Sequence, residues 1–230
     1  LYLDQAQSIG PNSMLAQRIG ARRNREIGLN ENLAREILEL HTLGDRTAYS
    51  QADVTEFARA MTGLTVGGLG ERRLQRVLGT DTKPGEGIFV DALHEPGKRT
   101  IVGRSYAQNG AKALDSILSD LAIHPATARH IATKLVRHFV ADDPPSSLVR
   151  KLEADFLRTG GDLASLYRIL IEAPESWANT GTKFKTPWEW TVSALRALGV
   201  ESMPGREQAA VALFNQMGQP IWKPGSPKGY

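Results

Sequence analysis

The stretch N-E-N-L-A-R-E-I-L-E-L-H-T-L-G (30–44) places Glu36, Glu39 and His41 beside Arg35. Carboxylates and an imidazole at this density suit general acid–base work or metal ligation. Helical geometry limits the second option. An α-helix turns about 100° per residue, so Glu36 and His41 lie roughly 140° apart, on opposite flanks of a Leu33/Ile37/Leu40 ridge. They do not converge on one ion while the helix is regular, and no H-E-x-x-H occurs anywhere. Glu36 itself falls at the edge of the ridge, where a half-buried carboxylate needs a partner or takes a raised pKa. Two roles fit it: a general acid or base, or a structural Glu–Arg pair with His41 capping the C-terminal end of the helix.

A second cluster is H-I-A-T-K-L-V-R-H-F (130–139). Ala128, Ile131, Ala132, Leu135, Val136 and Phe139 form its apolar face. His130, Lys134 and His138 recur at i, i+4 and i+8 on one flank, with Arg137 alongside. Such a basic stripe holds a carboxylate, phosphate or sulfate group, or forms salt bridges with a neighbouring acidic helix. His94 occupies a turn beside Glu95 and Lys98, a setting that often carries function. His124 precedes Pro125 and reads as a helix-start residue. Trp177, Trp188, Trp190 and Trp222 all fall in the last third. Their ordinary role is core packing; a sugar-stacking or peptide-docking surface near Gln219-Pro220 is the other reading. Nucleophilic signatures are missing: there is no G-x-S-x-G, S-x-x-K, P-loop or dinucleotide fingerprint after a strand. Gly67-Gly68-Leu69-Gly70 is glycine-rich but comes after no strand.

The elements that must position these groups are mostly helices. Asn30 sits where an N-cap belongs, ahead of 31–43, and Gly44 ends that helix. Ser50-Gln51-Ala52-Asp53 resembles a capping box, leading into an apolar face of Val54, Phe57, Ala58 and Met61. Further helices are expected over 111–122, from Pro125 to Val140, over 147–158 and over 163–173 with Asp162 as cap. Thr186-Pro187-Trp188-Glu189 opens another, and a last one spans 206–217. Residues 64–87 read as loop with one weak helix at 71–77. Residues 88–103 carry two β-friendly runs around Glu95-Pro96-Gly97, as in a small hairpin. The expected fold is mainly α: a single multi-helix domain over 1–230 with one small β-hairpin near 88–103.

Composition narrows the function classes. In 230 residues, 41% are hydrophobic and 23% charged, which excludes a disordered chain. The absence of cysteine excludes a disulfide scaffold, thiolate metal sites and cysteine nucleophiles. No stretch approaches the roughly 20 apolar residues of a membrane span. The net charge of +3 is mild, with its densest run at 18–25, R-I-G-A-R-R-N-R. No aromatic residue interleaves with these arginines, which disfavours single-stranded nucleic acid as a partner. The pattern names no cofactor and leaves the oligomeric state open.

Taken together, the segments resemble the C-terminal half of the bacterial DUF1800 proteins, a family of unknown function. The matching stretches are 30–44, Y-S-Q-A-D-V-T-E-F-A-R-A-M-T-G (49–63), H-E-P-G-K-R-T-I-V-G (94–103), H-P-A-T-A-R-H-I-A-T-K-L-V-R-H-F-V-A-D-D-P-P (124–145), T-G-G-D-L (159–163), K-T-P-W-E-W-T-V-S-A-L-R-A-L-G (185–199) and G-Q-P-I-W (218–222). Leu64 departs from the tryptophan expected after the second motif. The resemblance implies a piece of a longer chain, a co-encoded uncharacterised protein as partner, and a periplasmic or otherwise extracytoplasmic setting. It carries over no catalytic residues, but marks Glu36, Glu39, His41, His94, Lys134, Lys185 and Glu189 as motif positions. Two functions fit. The favoured one is a helical binding or assembly module acting with a partner protein or an envelope polymer. The alternative is a hydrolase in which Glu36, His41 and His94 are the candidate catalytic groups. There Arg35, Glu39, His130, Lys134, His138 and Lys185 are the candidate binding groups, the 130–138 stripe holding an anionic part of the substrate.

Overall fold

The computed structural model describes residues 3–20, 29–44, 46–68, 83–107, 110–178, 181, 183–202 and 204–225. The expected weak helix at 71–77 and Arg22, Arg23 and Arg25 of the basic run lie outside the described residues; Arg18 is in the first helix. In chain order the elements are α1 (Met14–Gly20), α2 (Asn32–Glu36), α3 (Gln51–Met61), β1 (Leu64–Val66), β2 (Gly87–Phe89), β3 (Arg99–Ile101) and β4 (Arg104–Tyr106). They continue with α4 (Ala111–Ala122), α5 (Pro125–Phe139), α6 (Ser146–Thr159), α7 (Leu163–Glu172), α8 (Pro187–Ala197) and α9 (Glu207–Gln216). The fold is mainly α, with small antiparallel strand pairs.

Helix starts obey their local chemistry. Ser50 Oγ accepts from the Asp53 N–H at 3.2 Å while Asp53 Oδ2 accepts from the Ser50 N–H at 2.7 Å, a complete capping box with Asp in the usual Glu place. Thr186 and Glu189 do the same for α8. His124 caps α5, its Nδ1 accepting from the Ala126 N–H at 3.1 Å, with Pro125 in the first helical position.

The strands are paired differently from the sequence reading. The runs on either side of Glu95-Pro96-Gly97 do not pair with each other. β2 pairs with the earlier β1, Leu64 opposite Phe89, and β3 pairs with β4 around Val102-Gly103. The reason lies in the 95–97 turn. The Glu95 carboxylate accepts from the Asn12 N–H and side-chain amide at 2.7 and 2.6 Å, and the Glu95 carbonyl accepts from Arg99. These bonds hold the turn against the start of α1 and leave it unable to close a hairpin. The real turn places Val102 and Gly103 at φ +48° and +73°, the left-handed pair that a two-residue loop requires. Asp53 supports it, Oδ1 accepting from the Val102 N–H at 2.7 Å.

The first core joins α2, α3, β3 and α4 through Ala34, Leu38, Val54, Phe57, Met61, Ile101 and Ile117. The ridge expected from Leu33, Ile37 and Leu40 is only partly buried; Ala34, Leu38 and Leu43 point inward instead. The helix turns Ala34 and Leu38, an i, i+4 pair, toward the core, and a π-helical turn over Ile37–His41 then widens it and shifts the positions that come after, where Leu43 is buried. The second core lies in α5–α7. The small residues Ala128 and Ala132 let α6 approach closely with Leu148, Leu152 and Phe156, and α7 adds Leu166 and Leu170. α6 packs against both α5 and α7, so these two stand on one side of it with a trough between them.

Candidate functional site

The π turn sets the environment of the first cluster. Glu39 pairs with Arg46 at 3.0 Å. Arg35 donates to Glu31 at 3.3 Å and to Gln51 at 2.9 Å. His41 is exposed. Glu36 is half-buried, and among the described residues it has no hydrogen-bonding or ionic partner. The structural Glu36–Arg35 pair is therefore not formed; Arg35 takes Glu31 instead.

The basic stripe meets the same turn from the other side. His130 Nε2 donates to the Leu40 carbonyl at 3.1 Å, and Lys134 Nζ reaches that oxygen at 3.5 Å. A widened, terminal helical turn leaves its carbonyls without intrahelical partners and carries partial negative charge, so cations seat there naturally. The His130 ring lies against Gly44, where the chain reverses at φ +73°. His138 lies at the end of α5, its ring 4.5 Å from that of Phe139. Lys185 is exposed and has no ionic partner among the described residues. The upper part of the stripe thus joins α5 to the end of the π turn, and among the described residues no hydrogen bond or ion pair links Glu36 to it.

His94 is a buried crosslink. Only 9% of it is exposed. Its Nδ1–H donates to the Thr62 carbonyl at 2.8 Å, and Nε2 accepts from the Gly110 N–H at 3.2 Å, which fixes a neutral tautomer. Thr62 Oγ1 accepts in turn from the Glu95 N–H at 2.7 Å. Sequence reading named His94 but gave no sign of partners this distant in the chain.

Burial pushes both His94 and His130 below the ordinary histidine value. For His130 the neighbouring Lys134 and His41 push the same way, against the opposing pull of the Leu40 carbonyl. The folded state thus takes up these protons at lower pH than the unfolded chain, whose histidines titrate near 6.5. Their contribution is complete above that value and is lost as pH falls from it toward the lowered folded values. The melting temperature is expected to fall between pH 7.5 and pH 5, and His130→Asn to flatten part of the fall. A melting temperature that is level or rises on acidification over this interval would contradict the assignment.

The feature that sequence reasoning did not locate is apolar. A groove of about 550 Å³ runs between α5 and α7, lined by Leu135, Phe139, Tyr167, Leu170, Ile171 and Trp177 among others. It is built by the turn Pro174–Trp177, which begins where Pro174 stops α7 and folds Trp177 back. The Trp177 indole N–H donates to the Ile171 carbonyl at 2.6 Å, and Ser176 Oγ donates to the Leu170 carbonyl at 2.6 Å. Those polar groups cap the end of α7, so the outward surface is ring and hydrocarbon: Trp177 is 72% exposed and Ile171 62%.

The tryptophans do not serve as core. All four are exposed, Trp222 at 93%. Trp188 and Trp222 border a second cleft of about 350 Å³ with Phe214, Gln219 and Ile221. Neither cleft is lined by Glu36, His41 or His94. Among the described residues no group of three His, Asp or Glu is arranged to hold a metal ion, and no helix is long and apolar enough to cross a membrane.

Over residues 1–230 the chain matches a family described as a protein of unknown function, DUF1800. No curated protein and no solved structure matches it.

Proposed function

The chain belongs to the DUF1800 family, and on that premise we propose that residues 1–230 act as one helical assembly module. Its α5–α7 groove receives an amphipathic helix from a partner protein. A co-encoded protein is the natural donor of that helix. The observation that carries this reading is the groove's contiguous run of exposed apolar and aromatic side chains, with the Trp177 indole and Ser176 hydroxyl already bonded. Phe139, Tyr167, Ile171 and Trp177 present a contiguous apolar surface, and such surfaces mark interaction sites. An envelope glycan needs hydrogen-bonding groups beside its stacking rings. Here the Trp177 N–H and the Ser176 hydroxyl already bond to helix carbonyls, which leaves a sugar the Tyr167 hydroxyl as the one side-chain polar group of the lining without a partner among the described residues. A helix satisfies its own backbone and offers only an apolar stripe, which is the shape the groove can accept.

The hydrolase alternative asks more of the molecule. It needs Glu36 near the stripe that would hold the substrate, whereas His130 and Lys134 are engaged with Leu40 and His94 has both ring nitrogens occupied. No observation favours it over docking.

The test is binding of a fluorescein-labelled peptide of about five helical turns with leucine at i, i+3, i+4 and i+7, monitored by anisotropy. A scrambled peptide of the same composition serves as control. Ile171→Arg, at an exposed position, leaves the fold intact. Removing an isoleucine's burial, worth about 1.5–3 kcal/mol, weakens binding roughly ten- to hundredfold. Equal binding of both peptides, or unchanged affinity in Ile171→Arg, would contradict the proposal.

A further inference from the structure

The second cleft has a chemistry opposite to that of the groove. Its walls are the rings of Trp188, Phe214 and Trp222 with Ile221. Trp188 and Phe214 rest against each other at 5.5 Å. Among the side chains that line it, the polar groups left without partners are donors. Gln219 Oε1 is held by the Trp188 backbone N–H at 2.9 Å, which leaves the amide N–H₂ of Gln219 to donate elsewhere. Neither that amide nor the indole N–H of Trp188 or Trp222 has a partner among the described residues.

Trp222 is held out at a cost. It occupies the third place of the turn Pro220–Lys223, closed by the Lys223 N–H to the Pro220 carbonyl at 3.1 Å. Its φ is +56°, in the left-handed region where glycine is the ordinary residue of such a turn. A bulky side chain there is an outlier, and strain of this kind concentrates at binding and catalytic positions.

From these observations we infer that this cleft binds a proline-rich segment in the polyproline II conformation. Proline has no N–H, so a run of prolines presents carbonyl acceptors and flat, apolar rings. Exposed indole faces pack against such rings, and indole and amide N–H groups donate to the carbonyls between them. A saccharide carries donors as well as acceptors on every ring, and the cleft side chains offer it no carboxylate, while the one side-chain carbonyl, of Gln219, is already bonded. The inference stands on different residues from the groove and does not depend on it.

The test is titration of the whole chain with a blocked decaproline peptide, monitored by tryptophan emission, beside the same titration with a cello-oligosaccharide. Saturable binding of decaproline, at least tenfold stronger than of the saccharide, is expected. Trp222→Gly is expected to weaken decaproline at least tenfold while the melting temperature holds or rises, because glycine suits φ +56°. That combination separates a binding role from a structural one. Trp190→Ala, an exposed tryptophan outside the cleft, is expected to leave binding unchanged. Unchanged binding in Trp222→Gly, no saturation by decaproline, or preference for the saccharide would each overturn the inference.

Discussion

Replacing Gly44 by alanine is expected to cost about 3–7 kcal/mol of stability, read as a fall in the urea midpoint with little change in slope. The left-handed backbone alone, at φ +73°, charges a side chain roughly 1 kcal/mol. The larger part is steric. A Cβ on residue 44 would lie 2.0 Å from His130 Nδ1 and 2.4 Å from its Cγ. The imidazole must leave, and with it goes the 3.1 Å bond to the Leu40 carbonyl. Losing a half-buried partner and over-packing the seat add about 1–3 kcal/mol each. If this is the mechanism, Gly44→Ala and His130→Ala are not additive, since each removes the same contact. A loss below about 1 kcal/mol in Gly44→Ala would show that the end of the π turn and α5 are not held as described.

His94→Phe is expected to destabilise by about 3–4 kcal/mol. The ring size is nearly kept, so the cost is not a cavity. Phenylalanine offers nothing to the Thr62 carbonyl or to the Gly110 N–H, which His94 now pairs at 2.8 and 3.2 Å. Two buried backbone groups would be left unpaired, each at about 1–3 kcal/mol. The effect also reaches the 95–97 turn, because Thr62 ties His94 to the Glu95 N–H. Urea denaturation measures it. A change within about 0.5 kcal/mol would mean that His94 is kept for something other than this crosslink.

Much of the fold is legible because helix ends are chemical signals. Ser50 with Asp53, Thr186 with Glu189, His124 before Pro125 and Asp162 before α7 each act through bonds spanning two or three residues, which a linear reading captures. The misses have one cause. The π turn at Ile37–His41 depends on α5, distant in the chain, whose His130 and Lys134 occupy the Leu40 carbonyl. Burial falls on Ala34, Leu38 and Leu43 rather than on Leu33 and Ile37, because the core they enter is supplied by elements further along the chain. The strand partners differ for the same reason, since Asn12, distant in the chain, holds the Glu95 carboxylate, while Arg99 holds the Glu95 carbonyl from within the turn itself. For the sites the balance reverses. Charged residues drew the eye to Glu36 and His94, yet the α5–α7 groove and the Trp188–Trp222 cleft are lined mainly by apolar and aromatic residues whose exposure no periodicity reveals. Trp177 reads as core until Pro174 is seen to turn it outward.

The most direct test of the docking groove is hydroxyl-radical footprinting of the whole chain with and without a saturating amphipathic helix. The expected result is reduced oxidation at Phe139, Tyr167, Ile171 and Trp177, with Trp222 unchanged. Undiminished oxidation of those four side chains while the helix is bound, or protection confined to Trp188 and Trp222, would contradict the assignment of the α5–α7 groove.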